Sequence, residues 1–157
     1  MRSPDHRSSG HFRLKLLILP LLLASGKMAA HGGDLQLQAT LLRGDNGDPA
    51  PANHGPPPSD LGASLRRNYP WTNYYQITNL TVAIPPGESR DVAMSEHFTL
   101  KVKNLDGSSV AIDCLNSGKQ ISHGTNTLPV ILGGDDTNHS AWFISLQAAK
   151  PSPPSKK

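Results

Sequence analysis

The chain has 157 residues, with 15 Lys and Arg against 12 Asp and Glu, a formal net charge of +3. Arg2, Arg7, Arg13 and Lys15 against Asp5 account for all of that excess, while residues 27–149 hold 8 basic and 11 acidic side chains. Nucleic-acid binding requires Lys and Arg clustered on the folded body, so that function class is excluded.

The first segment reads as an export signal, residues 1–26. Its four basic residues precede an uncharged apolar run, Leu16–Ala24, and Ala24-Ser25-Gly26 places small residues before a cut ahead of Lys27. Cleavage after Ala30 is a second option, and an uncleaved anchor or buried helix is the alternative to a leader. Nine apolar residues at about 1.5 Å each cover roughly 14 Å, under half of the ~30 Å hydrocarbon core. Such a run suits a cleavable leader. No other stretch reaches 18 consecutive apolar residues, so the expected mature chain, exported to the periplasm or the medium, has no membrane span.

Residues 27–149 read as a single β-domain of roughly 120 residues, enough for one modest core and not for two. Leu35, Leu37, Ala39 and Leu41 alternate with polar neighbours, the period of a half-buried strand. Arg43-Gly44-Asp45 spells the tripeptide that animal integrins read. The competing reading is a glycine-bearing turn continuing through Asn46-Gly47-Asp48, whose oxygens could also face a hard cation but lack the helical flanks and distal Glu of an EF-hand loop. Prolines 49, 51, 56, 57 and 58 then block regular structure, giving a Pro-rich loop at about 44–60. Ser59–Arg67 is the one helical signal in the body, with Ser59 or Asp60 as cap and Leu61 and Leu65 on one side.

Beyond Tyr69 the pattern is β throughout. Candidate strands are Tyr74–Thr78, Leu80–Ile84, Arg90–Met94, Phe98–Lys103, Ser109–Leu115, Thr127–Leu132 and Ala141–Leu146, with Pro129 suggesting an edge position. Asp106-Gly107 between two alternating runs is the best hairpin signal. Seven or eight short strands with turns every 8–12 residues point to an all-β fold, a single antiparallel β-sandwich, with a small β-barrel as runner-up. The core is expected to take Leu80, Val82, Ile84, Phe98, Leu100, Val102, Val110, Ile112, Leu128, Val130, Leu132, Trp142, Ile144 and Leu146. Residues 150–157, with three prolines among polar residues, read as a solvated tail.

Four of the eight aromatics fall within Tyr69–Tyr75. On a surface, Trp71, Tyr74 and Tyr75 would form a binding platform; strand alternation alternatively sends Trp71 and one of the tyrosines into the core. Gly133–His139 gathers Asp135, Asp136 and His139, a combination able to bind a metal or supply an acid–base pair, with His97 or His123 to be brought in by the fold. A tight turn between two strands explains the same residues. The lone Cys114 excludes an intrachain disulfide, and alternation with Val110 and Ile112 places it in the core. No motif for a nucleophile elbow, a phosphate loop or a zinc site is present, and the sequence calls for no cofactor. Asn79-Leu80-Thr81 and Asn138-His139-Ser140 match the N-glycosylation acceptor pattern.

Trp71-Thr72-Asn73-Tyr74-Tyr75, Val102-Lys103-Asn104-Leu105, Leu132-Gly133-Gly134-Asp135 and Ala141-Trp142-Phe143 together resemble a group of small exported bacterial β-domain proteins of unknown function. The resemblance implies a bacterial cell envelope as location, brings no activity, and makes both glycosylation patterns irrelevant. The expectation is a non-catalytic exported domain that binds an envelope protein or glycan as an accessory to an envelope assembly. A metal-binding protein or hydrolase using residues 133–139, and a self-assembling structural subunit, are the alternatives.

Overall fold

The computed structural model describes residues 34–47, 50–136 and 139–149. The expected leader, its cleavage site and the tail at 150–157 lie outside these residues. Eight strands and one helix follow in chain order: β1 (Leu35–Asp45), α1 (Ser59–Asn68), β2 (Asn73–Ile84), β3 (Ser89–Ala93), β4 (Phe98–Asn104), β5 (Ser109–Asn116), β6 (Lys119–Thr127), β7 (Val130–Asp136) and β8 (Ser140–Ala148). They form two four-stranded antiparallel sheets, ordered β2-β1-β8-β7 and β3-β4-β5-β6. The fold is an all-β sandwich.

Chain neighbours are also ladder neighbours, except that β2 to β3 and β6 to β7 change sheet, and β8 returns beside β1. This is the connectivity of an up-and-down barrel opened along two seams. The small barrel is therefore not formed, since neither β2 with β3 nor β6 with β7 shares a ladder.

Between the sheets lies the main core. Leu35, Leu37, Ala39 and Leu41 of β1 meet Ile84, Leu100, Val102, Val110, Ile112, Cys114, Val130, Leu132, Ile144 and Leu146 there. Alternation dictates this directly, because residues two apart on a strand share a face. Leu80, Val82, Phe98, Leu128 and Trp142 pack against that core but remain partly exposed, a correction to their expected full burial. Each sits near a seam or an end, where the opposite sheet runs out.

Helix α1 builds a second cluster on the outer face of the first sheet. Leu61 and Leu65 pack over Leu42, Tyr74, Ile131, Ala141 and Phe143, with Tyr69 and Trp71 at the margin. Leu42 reaches that face by ordinary alternation, one residue after the inner Leu41 and opposite Phe143 of β8, while the register shift against β2 places one extra residue, Ile77, in that strand. The helix opens from Pro58, whose backbone is the N-cap, with no side-chain cap bond. The expected Ser59 or Asp60 cap is thus corrected: both lie inside the first turn, where Pro58 has already set the entry.

Four further expectations change. Tyr74–Thr78 and Leu80–Ile84 are one strand, since Asn79 pairs with Thr40 and carries the ladder between them. Residues 119–127 are a strand, β6, although Gly124 and a run of polar residues hide its alternation. Thr127–Leu132 is divided: Thr127 ends β6, Leu128-Pro129 crosses between sheets, and Val130 opens β7 at the sheet edge. Arg43-Gly44-Asp45 is the end of β1 and not a turn, so irregular chain begins only at Asn46. Among the described residues, no helix is long and apolar enough to cross a membrane.

Candidate functional site

Three features separated in the sequence meet at one end of the first sheet. β1 is central there, so its last residues lie between β2 on one side and β8, then β7, on the other. Register sets Arg43 opposite both Tyr75 and Trp142, and Asp45 opposite both Asn73 and Ser140. The integrin-like tripeptide, the aromatic cluster and the acidic loop thereby share one rim.

Arg43 anchors it. Its Nη2 donates to Ser140 Oγ at 2.9 Å and stands 3.9 Å from Asp136 Oδ2. The guanidinium and Asp136 keep 36% and 43% of their side-chain surface exposed, so this ion pair contributes little to stability and presents charge to solvent. Across the strand, Tyr75 donates its hydroxyl to Asp45 Oδ2 at 2.9 Å, and Asp45 Oδ1 accepts from the Gly47 amide. The loop after β1 is clamped to the chain before β2. Asn46 Oδ1 accepts from the Thr72 amide and hydroxyl, and Asn73 donates to the Gly47 carbonyl. His54 stacks on the Tyr75 ring with centroids 5.1 Å apart and planes 10° from parallel. Reciprocal backbone bonds between Gly55 and Gln76 hold it in place.

Tyr74 and Tyr75 are both buried, at 6% and 5% exposure, and Trp71 is partly buried. The two tyrosines are therefore not an exposed platform, a correction to that reading. Alternation sends the two to opposite faces, and each face is covered: Tyr74 lies in the helix cluster, and His54 stacks on Tyr75. Tyr74 Oη donates towards the Leu65 and Tyr69 carbonyls, at 3.3 Å each. Burial pushes both phenols above their ordinary range, and for Tyr75 the bond to Asp45 adds to it. Both stay protonated at neutral pH, as donors and not bases. Gly44 lets Trp71 and Tyr74 pack closely on β1: a Cβ there would stand 3.0 Å from Trp71 Cδ1 and Tyr74 Cε1, and the rings would have to give.

The acidic loop does not converge. Asp135 and Asp136 are successive residues of β7 and point to opposite faces, with Asp136 engaged by Arg43. His139 is exposed at φ 55°. Among the described residues, no group of three or more His, Cys, Asp or Glu is placed to hold a metal. His97 sits beside Ser117, and His123 contacts Asp113 on the outer face of the second sheet; neither joins the rim. Cys114 is fully buried, and burial raises its thiol to about 11, far from a nucleophile's range. Asn79 is exposed, and Asn138 lies outside the described residues.

Two nitrogens, Arg43 Nε and His54 Nδ1, are buried and have no hydrogen-bond partner among the described residues. Nothing in the sequence pointed to His54, which lies in the Pro-rich loop; the Gly55–Gln76 bridge brings it over Tyr75. Comparison with family models, with curated proteins and with solved structures gave no match to this chain.

Proposed function

We propose that the protein is an exported, non-catalytic β-domain that acts by contact, as an accessory to a cell-envelope assembly, through the Arg43–Asp136 rim. The observation that carries this reading is the exposed Arg43–Asp136 pair, fixed at the strand ends by the Arg43–Ser140 bond and set beside the clamped Asn46–Asn73 segment. A guanidinium and a carboxylate held in place but still open to solvent offer a partner a donor and an acceptor with little side-chain ordering left to lose. The apolar run and basic n-region of the leader support export.

Site-specific photo-crosslinking in a bacterial host that exports the full chain tests it. A crosslinker at Thr72 or Asp135, on the rim, is expected to capture one discrete envelope partner. The same group at Leu105, exposed at the opposite end of the sandwich, is expected to capture none. Adducts from Leu105 alone, or a product retained in the cytosol with Met1 attached, would overturn the reading. The metal-centred alternative is separated by elemental analysis of the purified protein: stoichiometric metal that disappears in Asp135→Ala would displace the contact reading.

A further inference from the structure

The sandwich has four sheet edges, and three carry the devices that discourage pairing with another chain. β3 is five residues long and carries Arg90 and Asp91. β7 follows Pro129 and ends in Asp135-Asp136. β6 opens with Lys119 beside a register shift and is polar nearly throughout. β2 differs. From Thr78 to Ile84 it reads Thr-Asn-Leu-Thr-Val-Ala-Ile, without a charge, a proline or a glycine. Thr78, Leu80, Val82 and Ile84 share the inner face, and Leu80 and Val82 are only partly buried there, at the margin of the core.

The open stretch has sharp limits. At one end the Gly55 backbone already pairs with Gln76; at the other, Pro85-Pro86 turns the chain away. Its midpoint is Thr81.

We infer that β2 is a self-association edge, pairing antiparallel with β2 of a second copy about a two-fold axis at Thr81. In that register Thr78 faces Ile84, Asn79 faces Ala83, Leu80 faces Val82, and Thr81 meets its own copy. Every pair joins residues of like parity, so inner faces stay inner and outer faces stay outer, as the pleat demands. No like charges are opposed, because β2 has none. Leu80 and Val82 of each copy cover one another at the seam. Each copy's 50–58 loop falls beyond the end of the paired stretch. An isologous contact of this kind closes at two copies and leaves no further edge of the same type. Strands of the two copies run in opposite directions, so the two Arg43 rims point to opposite ends of the dimer. The inference is independent of the rim's function.

Light scattering across a concentration series of the purified protein, expressed as the full chain, tests it with two charge variants. Thr81 is exposed, so Thr81→Lys and Thr81→Glu are expected to fold with unchanged circular dichroism. Wild type is expected to move from one chain mass to two as concentration rises. Each variant alone is expected to stay at one chain mass, because like charges meet at the axis. An equimolar mixture of the two is expected to recover the dimer. A wild type that remains monomeric, a dimer indifferent to both variants, or a mixture that stays monomeric would each overturn it. So would a β2 edge that takes up an extended peptide of another protein while the chain itself stays single.

Discussion

Asn104 is fully buried at the end of β4, and both ends of its amide are occupied. Its Nδ2 donates to the Ile84 carbonyl at 2.9 Å, and its Oδ1 accepts from the Gly107 amide at 2.7 Å. Its own backbone exchanges bonds with Gly87 and Glu88. One side chain thus ties the crossover between sheets to the β4–β5 turn. Asn104→Leu leaves the buried Ile84 carbonyl and the part-buried Gly107 amide without their partner, at about 1–3 kcal/mol for a buried group and less for the amide, so a loss of roughly 2–4 kcal/mol is expected in urea unfolding. In the sequence this residue was legible only as a turn former before Asp106-Gly107, since its second partner lies 20 positions upstream. Asp106, two residues on, shows a complementary effect that pH reveals. The Ser108 and Ser109 amides and the Ser108 hydroxyl donate to its Oδ1, holding the carboxyl down to about 2. In the unfolded chain it titrates near the ordinary value of about 3.9. The folded form therefore binds its proton less readily, and the stabilisation is complete above about pH 4 and fades as pH falls towards 2. Asp106→Asn has no such titration. Thermal midpoints of the two proteins are expected to differ by a constant amount above about pH 4 and to converge below it.

At the scale of an element, the informative failure of alternation is in the first sheet. Leu41 and Leu42, Val130 to Leu132, and Phe143 and Ile144 are consecutive buried residues, which a one-sided strand does not produce. Runs of this kind mark strands covered on both faces, and the short amphipathic segment at 59–68 is what covers the second face here. The strands and the inner core were readable because a period of two survives in β1, β4, β5 and the inner residues of β8. The outer cluster was not, because its members come from five elements and are brought together only by sheet order. β6 was unreadable for the opposite reason: its outer face is polar and its inner one offers Gly124 and Asn126, so pairing with β5 supplies the order that apolar alternation usually announces. Leu65 is fully buried beneath α1, and a ten-residue helix is too short to be stable without its packing. Leu65→Ala is expected to cost about 2–5 kcal/mol. Far-UV circular dichroism of the native state should be retained, since the strands do not depend on the helix for their ladders. A variant within about 0.5 kcal/mol of wild type would show that α1 is merely laid on the sheet.

For the whole molecule, the question is whether clusters on opposite faces of one sheet unfold together. The same strands serve both: β1 supplies Leu41 to the inner core and Leu42 to the outer cluster, and β8 supplies Ile144 and Phe143 in the same way. Melting the outer cluster exposes the far side of the ladders that hold the inner one, so neither has an independent boundary. The ends of the strands add to this coupling, because the rim bonds of Arg43 and Asp45 cross from β1 to β8 and β2. Each cluster carries its own reporter. Trp71 borders the outer one, and Trp142 packs on Phe98 at the inner core, with centroids 5.1 Å apart. Trp71→Phe and Trp142→Phe therefore give two proteins, each with a single fluorescent indole on one side of the sheet. Each is expected to unfold in urea in one transition, whose fluorescence midpoint coincides with that of its own circular dichroism. If the protein retaining Trp71 loses its fluorescence change at lower urea than its strand signal, α1 and its cluster are a separate layer. Small domains with a shared sheet behave in the first way, and here it is the adjacency of Leu41 to Leu42 and of Phe143 to Ile144 that enforces it.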